Sequence, residues 1–402
     1  MSKRCKYSMV FSTVYNFPGF KIVGLSVMTM LVGMVVIQLG RSKHKVRCPC
    51  CNRVVKRFEG SYGRLVRHLD FSGFECYLYF EEYKLHCKCG YRGYEDVGFV
   101  RDYSNCTRAY EAYVGRLCDH MSVKEAASFV GLDWKTVKNI DKESIRSALK
   151  GLSEVHPVRI GVDEIAYQKG HKYLTVVRDV DHGYVLWVGL DRKKETLNAF
   201  FQELGPEKCQ LIKVAVMDMW DPFIASVKEY TRADIVFDKF HVAKKVNEAL
   251  DSIRRHEFRN AGKDEQKEFK KKRFLILLRN ENVPPDRRET LNSLLEKNQT
   301  LYSAYVLKEQ LLSILDEKCY DVAIRRLETW KANVQESGIQ EYDKVVKTIN
   351  NYLYGIHNYF KHGVTNAASE GFNNKIGLIK RRAYGFRDIE YFMLKIIKIC
   401  GL

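Results

Sequence analysis

The stretch RIGVDEIAYQ at residues 159–168, taken together with LIKVAVMDMW at 211–220, decides the fold. Each is an apolar run carrying an aspartate, Asp163 within the first and Asp218 behind the second. Between them come apolar runs at 172–180 and 184–190 and a helical period at 195–204; a helix from Pro222 to about Tyr230 and a strand at 234–237 follow. Three strands, a helix, a strand, a helix and a strand is the order of an RNase H-like α/β core with a mixed sheet, three antiparallel strands preceding parallel additions. In that order Asp163 and Asp218 fall on neighbouring strands. Successive strand side chains alternate, so only one of Asp163 and Glu164 is expected to face a common site, and Asp163 is the choice.

Paired carboxylates at such positions suit phosphodiester chemistry, because two Mg²⁺ ions, or Mn²⁺, held about 4 Å apart activate the nucleophile and stabilise the leaving oxygen. A third acid is needed. Glu370 in NAASEGFNNKIGLIKRRAYG, residues 366–385, is the candidate, on a helix capped by Asn366 and ended by Gly385. Glu370, Asn373, Asn374 and Gly377 share one face, whereas Phe372, Ile376 and Ile379 can pack on the sheet. Lys380, Arg381, Arg382 and Arg387 follow as phosphate contacts. Trp220 has the alternatives of stacking on an unpaired base or serving as a buried aromatic. The charged, mostly helical stretch broken at Pro284-Pro285 reads as an insertion of about 242–358 before the final helix.

Ahead of this core, Cys48 and Cys51 form a C-x-x-C pair, and HCKCG at 86–90 supplies either Cys87 with Cys89 or His86 with Cys89. Two such knuckles bring four ligands to one structural Zn²⁺, and Cys48, Cys51, Cys87 and Cys89 are the predicted set. The scattered cysteines 5, 76, 106, 118, 209, 319 and 400 read as buried thiols. The uncharged run from Ile22 to Leu39 has the length of a membrane span, but its Val and Ile content and Gly24 and Gly33 predict a β-hairpin turning at 31–33. A membrane partner is not expected; the expected location is the cytoplasm, at the nucleoid.

Ser122, Glu125, Gly131 and Asp133 mark a helix-turn-helix: Ser122 with Glu125 forms a capping box, Gly131 makes the turn and Asp133 caps a second helix. Ala126, Val130, Leu132, Val137 and Ile140 would point inward, leaving Trp134, Lys135, Thr136, Lys138 and Asn139 for a DNA groove. Composition agrees: 67 Lys and Arg against 49 acids give a net charge of +18, matched to a polyanion. With 46% hydrophobic residues and only 7 prolines in 402, the chain is not of the disordered class. The expected domains are 1–100 (hairpin and zinc-ribbon-like β segment), 101–152 (helix-turn-helix) and 153–402 (catalytic core).

The segments GVDEIAYQKGHKYLTVV, VAVMDMWDPFIASVKEY, ADIVFDKFHVAKKVNEALDSIRR and SEGFNNKIGLIKRRAYGFRD resemble the ISL-three family of insertion-sequence transposases. With the cysteine segment and helix-turn-helix, the resemblance covers nearly the whole chain. It implies a DDE triad falling on Asp163, Asp218 and Glu370, and a strand segment before the first cysteine pair. It departs in the C-x-C of the second knuckle, where C-x-x-C is commoner. Asp238 of the DKFHV segment is a rival metal ligand, more simply read with His241 as support for the site. The expected activity is binding of double-stranded DNA at terminal inverted repeats, then metal-dependent cleavage and strand transfer by a homodimer or larger synaptic complex. The alternative is a catalytically inactive or domesticated DNA-binding regulator.

Overall fold

The computed structural model describes residues 17–28, 33–42, 46–71, 73–149, 156–168, 170–263, 266–267, 272–364 and 368–401, with backbone alone at 27–28 and 368–370. Its chain forms two compact units, Met1–Leu152 and Ser153–Leu402.

In the first unit the strands are β1 (Phe20–Met28), β2 (Met34–Arg41), β3 (Phe58–Phe71), β4 (Phe74–His86) and β5 (Arg92–Tyr94). They form one sheet in the order β1-β2-β4-β3, with β5 beside β4. β1 and β2 pair antiparallel, so the apolar run is a hairpin; its expected turn includes Leu31 and Val32, which lie outside the described residues. Alternation explains why an uncharged segment can do this: Val35, Ile37 and Leu39 are buried against Val66, Leu78 and Phe80. Among the described residues no helix is long and apolar enough to cross a membrane.

Helices α1 (Arg108–His120), α2 (Val123–Val130) and α3 (Trp134–Leu149) follow. The Ser122–Glu125 capping box is present and Gly131 ends α2 in the left-handed region at φ 66°. Asp133 Oδ1 accepts from the Lys135 N–H at 2.8 Å, satisfying an orphan donor at the start of α3. Ala126, Val130, Val137 and Ile140 are buried with Tyr110 and Val114 of α1, and Leu132 packs partly buried beside them.

The second unit begins with β6 (Arg159–Gln168), β7 (Lys172–Asp179) and β8 (Tyr184–Leu190), then α4 (Lys194–Leu204), α5 (Pro206–Cys209), β9 (Val214–Met217), α6 (Asp221–Tyr230) and β10 (Asp234–Phe237). The sheet order is β10-β9-β6-β7-β8, with β6-β7-β8 antiparallel and β6-β9-β10 parallel, the RNase H-like arrangement. β9 is shorter than its apolar run, because Leu211 and Ile212 close a turn onto Lys208 and Cys209 behind α5. All four of its residues are buried, Ala215 and Met217 under α4 and α6 and Val214 and Val216 under the helical bundle, as a central parallel strand requires.

That bundle comprises α7 (Lys239–Asn260), α8 (Arg273–Leu277), α9 (Pro285–Glu296), α10 (Gln299–Leu315), α11 (Tyr320–Ser337), α12 (Gln340–Asn351) and α13 (Leu353–His362). Two of its fully buried polar aromatics are satisfied on backbone, Trp330 Nε1 donating to Leu307 O at 2.8 Å and Tyr342 OH to Ala304 O at 2.6 Å. Two helices close the chain, α14 (Ala368–Arg382) and α15 (Ile389–Cys400). α14 was expected to be the final helix; α15 is a further one, capped by Asp388, and its Phe392 and Ile396 join Ile376 and Ile379 against β7 and β8. A second expectation also changes: Cys319 is exposed, at the N-cap of α11 where no apolar neighbour covers it, whereas cysteines 76, 106, 118, 209 and 400 are buried. Cys5 lies outside the described residues.

Candidate active site

Strand register assembles the acids. Gly161 of β6 lies opposite Val216 of β9, and Phe237 of β10 opposite Met217. Two residues beyond the first pair come Asp163, midway along β6, and Asp218, just past the end of β9, and one beyond the second comes Asp238, just past β10, so three aspartates stand side by side where the parallel pairing ends. Ligand sites in open α/β sheets form at such carboxyl ends. Asp163 and Asp218 line one cavity of about 150 Å³. At roughly 30 Å³ per water, it has room for ions, a few waters and a phosphate group but not for a nucleoside.

Burial first, and then the negative charge of Asp218, raise the Asp163 carboxyl above its ordinary range, although the Glu164 N–H at 2.8 Å and the Asn373 amide at 3.2 Å pull it down. Burial likewise raises Asp238, which caps α7 by accepting the Phe240 N–H at 3.1 Å. His241, one turn into α7, places Nε2 against Asp218 Oδ1. Burial opposes charge on this imidazole, but Asp218, with Asp238 and Asp163 behind it, outweighs burial and raises it. The DKFHV segment therefore approaches the acids from the helix side: Asp238 caps α7, and His241 forms an ion pair with Asp218.

Glu164 departs in part from expectation. Strand alternation does turn its carboxylate away, onto Arg192 with Nη1 at 3.1 and 3.3 Å, yet it borders the same cavity. Arg192 is itself held between the Tyr173 ring at 4.3 Å and the Trp220 ring at 4.8 Å, and Trp220 Nε1 donates to Arg192 O at 3.1 Å. Trp220 is thus engaged from within the protein. Sequence reasoning singled out neither Arg192 nor Tyr173, since a lone arginine and a lone strand tyrosine carry no spacing signal.

Glu370 lies within α14, but its side chain is outside the described residues. What is described is the anchor one turn on: Asn373 holds α14 to Asp163. Asn366, the expected cap, is also outside the described residues. Lys380, Arg381 and Arg382 occupy the last turn of α14, Gly385 follows it at φ 94°, and Arg387 is exposed beyond it.

In the first unit the sulfurs of Cys48, Cys51, Cys87 and Cys89 all lie within 4.8 Å of one another. Each pair rides a hairpin turn. Asn52 N–H donates to Cys48 O at 2.9 Å in the first, and Gly90 N–H to Cys87 O at 3.0 Å in the second. Gly90, at φ 93°, lets the compressed C-x-C turn bring both sulfurs inward. His86 points elsewhere, toward Glu59 at 3.7 Å. Along α3, Trp134, Lys135, Thr136 and Asn139 are exposed and Lys138 half-exposed, opposite the buried Val137 and Ile140.

An RNase H-like core with acids gathered where its parallel strand pairing ends, carried with a helix-turn-helix and a cysteine-knuckle segment, defines a transposase of the DDE class. Family models agree along the chain: "Transposase" over residues 160–396, "Helix-turn-helix domain of transposase family ISL3" over 95–145, and "zinc-finger of transposase IS204/IS1001/IS1096/IS1165" over 44–89. The chain is 32% identical over 354 residues to the transposase for insertion sequence element IS1001 of Bordetella parapertussis, covering 87% of each chain. It is 27% identical over 369 residues to the transposase for insertion sequence element IS1557 of Mycobacterium tuberculosis, covering 85% of this chain and 83% of that one. The protein belongs to the ISL3 family of insertion-sequence transposases.

Proposed function

We propose that this transposase binds the terminal inverted repeats of its insertion sequence and cuts and rejoins the DNA ends at Asp163, Asp218 and Glu370. The observation that carries the reading is the β6–β9 parallel register, by which Asp163 and Asp218 stand side by side two residues past the last paired residues, Gly161 and Val216. Their chemistry fits divalent cations: the Asp163 carboxyl, raised by burial and then by the charge of Asp218, is relieved when a cation is shared, and an all-oxygen set suits Mg²⁺ or Mn²⁺. When bound, the two ions supply Lewis-acid activation of the attacking oxygen and charge neutralisation at the leaving one. Asn373 orients the Asp163 carboxylate, and His241 fixes that of Asp218.

Recognition is assigned to Trp134, Lys135, Thr136, Lys138 and Asn139 of α3 in a groove of double-stranded DNA, supported by their common outward face. Lys380, Arg381, Arg382 and Arg387 contact phosphates. Trp220 is assigned to positioning Arg192, since its indole N–H and ring face are both engaged there. Structural Zn²⁺ is held by Cys48, Cys51, Cys87 and Cys89. Joining two ends at once requires a homodimer or larger complex on DNA, and the protein acts in the cytoplasm at the nucleoid.

The test is end cleavage and strand joining on DNA carrying the element's inverted repeats with Mg²⁺, wild type against Asp218→Ala. Activity lost with binding retained is expected. Equal activity in both, or binding without cleavage by the wild type, overturns the catalytic assignment and leaves a DNA-binding regulator.

A further inference from the structure

Beside the acids, on the far side of Asn373, a second cavity of about 530 Å³ opens between β6 and α14. That is within the range of about 300–1,000 Å³ common for ligand pockets, unlike the small cavity at Asp163. Its floor is apolar, from Ile165, Ile376 and Phe392, and its lip is cationic, from Lys380 and Arg381. Gly377 leaves one wall bare, where a Cβ would meet only Arg381 Nη1 at 3.6 Å. Tyr384 stands at the rim with 94% of its surface exposed and its backbone in the left-handed region at φ 52°. A non-glycine residue held there is uncommon, and a large ring left in water is an unmet contact.

We propose that this cavity receives a single unstacked nucleobase from the DNA end next to the scissile phosphate, with Tyr384 stacking on the base and Lys380 and Arg381 holding the flanking phosphates. Three features fit such an occupant together. An apolar slot with an aromatic rim accepts the faces of any base, cations at the lip match the backbone that enters with it, and Asn373 both lines the slot and hydrogen-bonds Asp163, so a base seated here sets its own phosphate at the acids. An apolar ligand without charge would leave Lys380 and Arg381 unused, and intact duplex cannot enter a slot of this size. The inference rests on the proposed nuclease reading, which it deepens by naming the substrate's local conformation.

The test is a coupling measurement on the full-length protein, with end DNA in Ca²⁺ to read binding without cleavage. Each nucleotide flanking the cut is replaced in turn by an abasic residue, for wild type, Tyr384→Ala, Tyr384→Phe and Gly377→Leu. Expected is one position at which losing the base weakens wild-type and Tyr384→Phe binding about ten-fold, yet has no further effect in Tyr384→Ala or Gly377→Leu. Leucine suits a helix interior better than glycine, so Gly377→Leu fills the slot without unfolding α14. Equal base-deletion effects in all four proteins at every position overturn the pocket. Wild-type cleavage of unmodified ends in Mg²⁺ is read separately, so failure of the pocket with cleavage intact is distinguishable from failure of the nuclease reading.

Discussion

Asn373 donates its side-chain amide to Asp163 Oδ2 at 3.2 Å across 210 residues of chain, joining the N-terminal half of α14 to the first strand of the core. One bond therefore couples the helix that carries Glu370 to the strand that carries Asp163. Hydrogen bonds to charged groups contribute about 1.5–3 kcal/mol. Asn373→Ala is expected to slow end cleavage about ten- to hundred-fold with inverted-repeat binding unchanged. Cleavage at the wild-type rate in a single-turnover assay would show that Asp163 is oriented without it.

Arg192 connects the two acid-bearing segments from the other face, pairing with Glu164 and lying between Tyr173 and Trp220. Lysine cannot reproduce a planar, stacked, two-contact geometry. Arg192→Lys should cost about ten-fold in cleavage, and a double-mutant cycle with Glu164→Gln should be clearly non-additive. Additive losses would mean that the stack and the ion pair act independently.

Metal removal should act on the first unit through the four cysteines. Zinc content measured by plasma emission is expected near one per chain, falling to near zero in Cys51→Ser and in Cys87→Ser, with loss of DNA binding. Cys50 is exposed and stands outside the cluster, so Cys50→Ser should retain full zinc. His86→Ala should also retain it, since His86 faces Glu59.

His68 gives the first unit a pH dependence. Burial, and then the Arg67 charge, push its imidazole down to about 4, and its Nδ1 lies 2.9 Å from Oγ1 of Thr107, the cap of α1. A depressed value means the unfolded chain binds the proton more readily. The stabilisation is therefore complete above about pH 6.5 and is lost as pH falls from there toward 4, by up to about 1.4 kcal/mol per unit. Thermal unfolding from pH 7 to 5 should show this loss, and His68→Gln should flatten it. An unchanged slope in the variant would assign the acid sensitivity to other groups.

For the exposed face of α3, Lys135→Ala should weaken inverted-repeat and random DNA equally and reduce the salt slope of log K by about one, as a phosphate contact does. Asn139→Ala should instead weaken the inverted repeat alone. A Lys135 variant that loses only specific binding would place that residue on a base edge.

Much of this was legible from the residues. The strand order of the core, the capping box at Ser122, the αL turn at Gly131 and the C-x-x-C pair follow from local chemistry: periods of two and 3.6, a side chain able to reach its own helix terminus, a glycine with no Cβ penalty. α15 was not separated from its neighbour in the sequence, because Gly385 and Asp388 fall within a few residues and read as one helix end. Nothing local distinguishes a buried thiol from the exposed Cys319.

By itself, then, the sequence determined which segments are strands and helices and which residue types could bind metal or DNA, since these depend on neighbours within a turn or two. Only tertiary structure decided how they meet. Parallel register set Asp163 beside Asp218 and Asp238, packing of α14 on the sheet brought Asn373 to Asp163, and the close turn at Gly90 selected Cys87 over His86. Such contacts join residues tens to hundreds of positions apart. Their geometry comes from the packing of whole elements, to which no local pattern gives access.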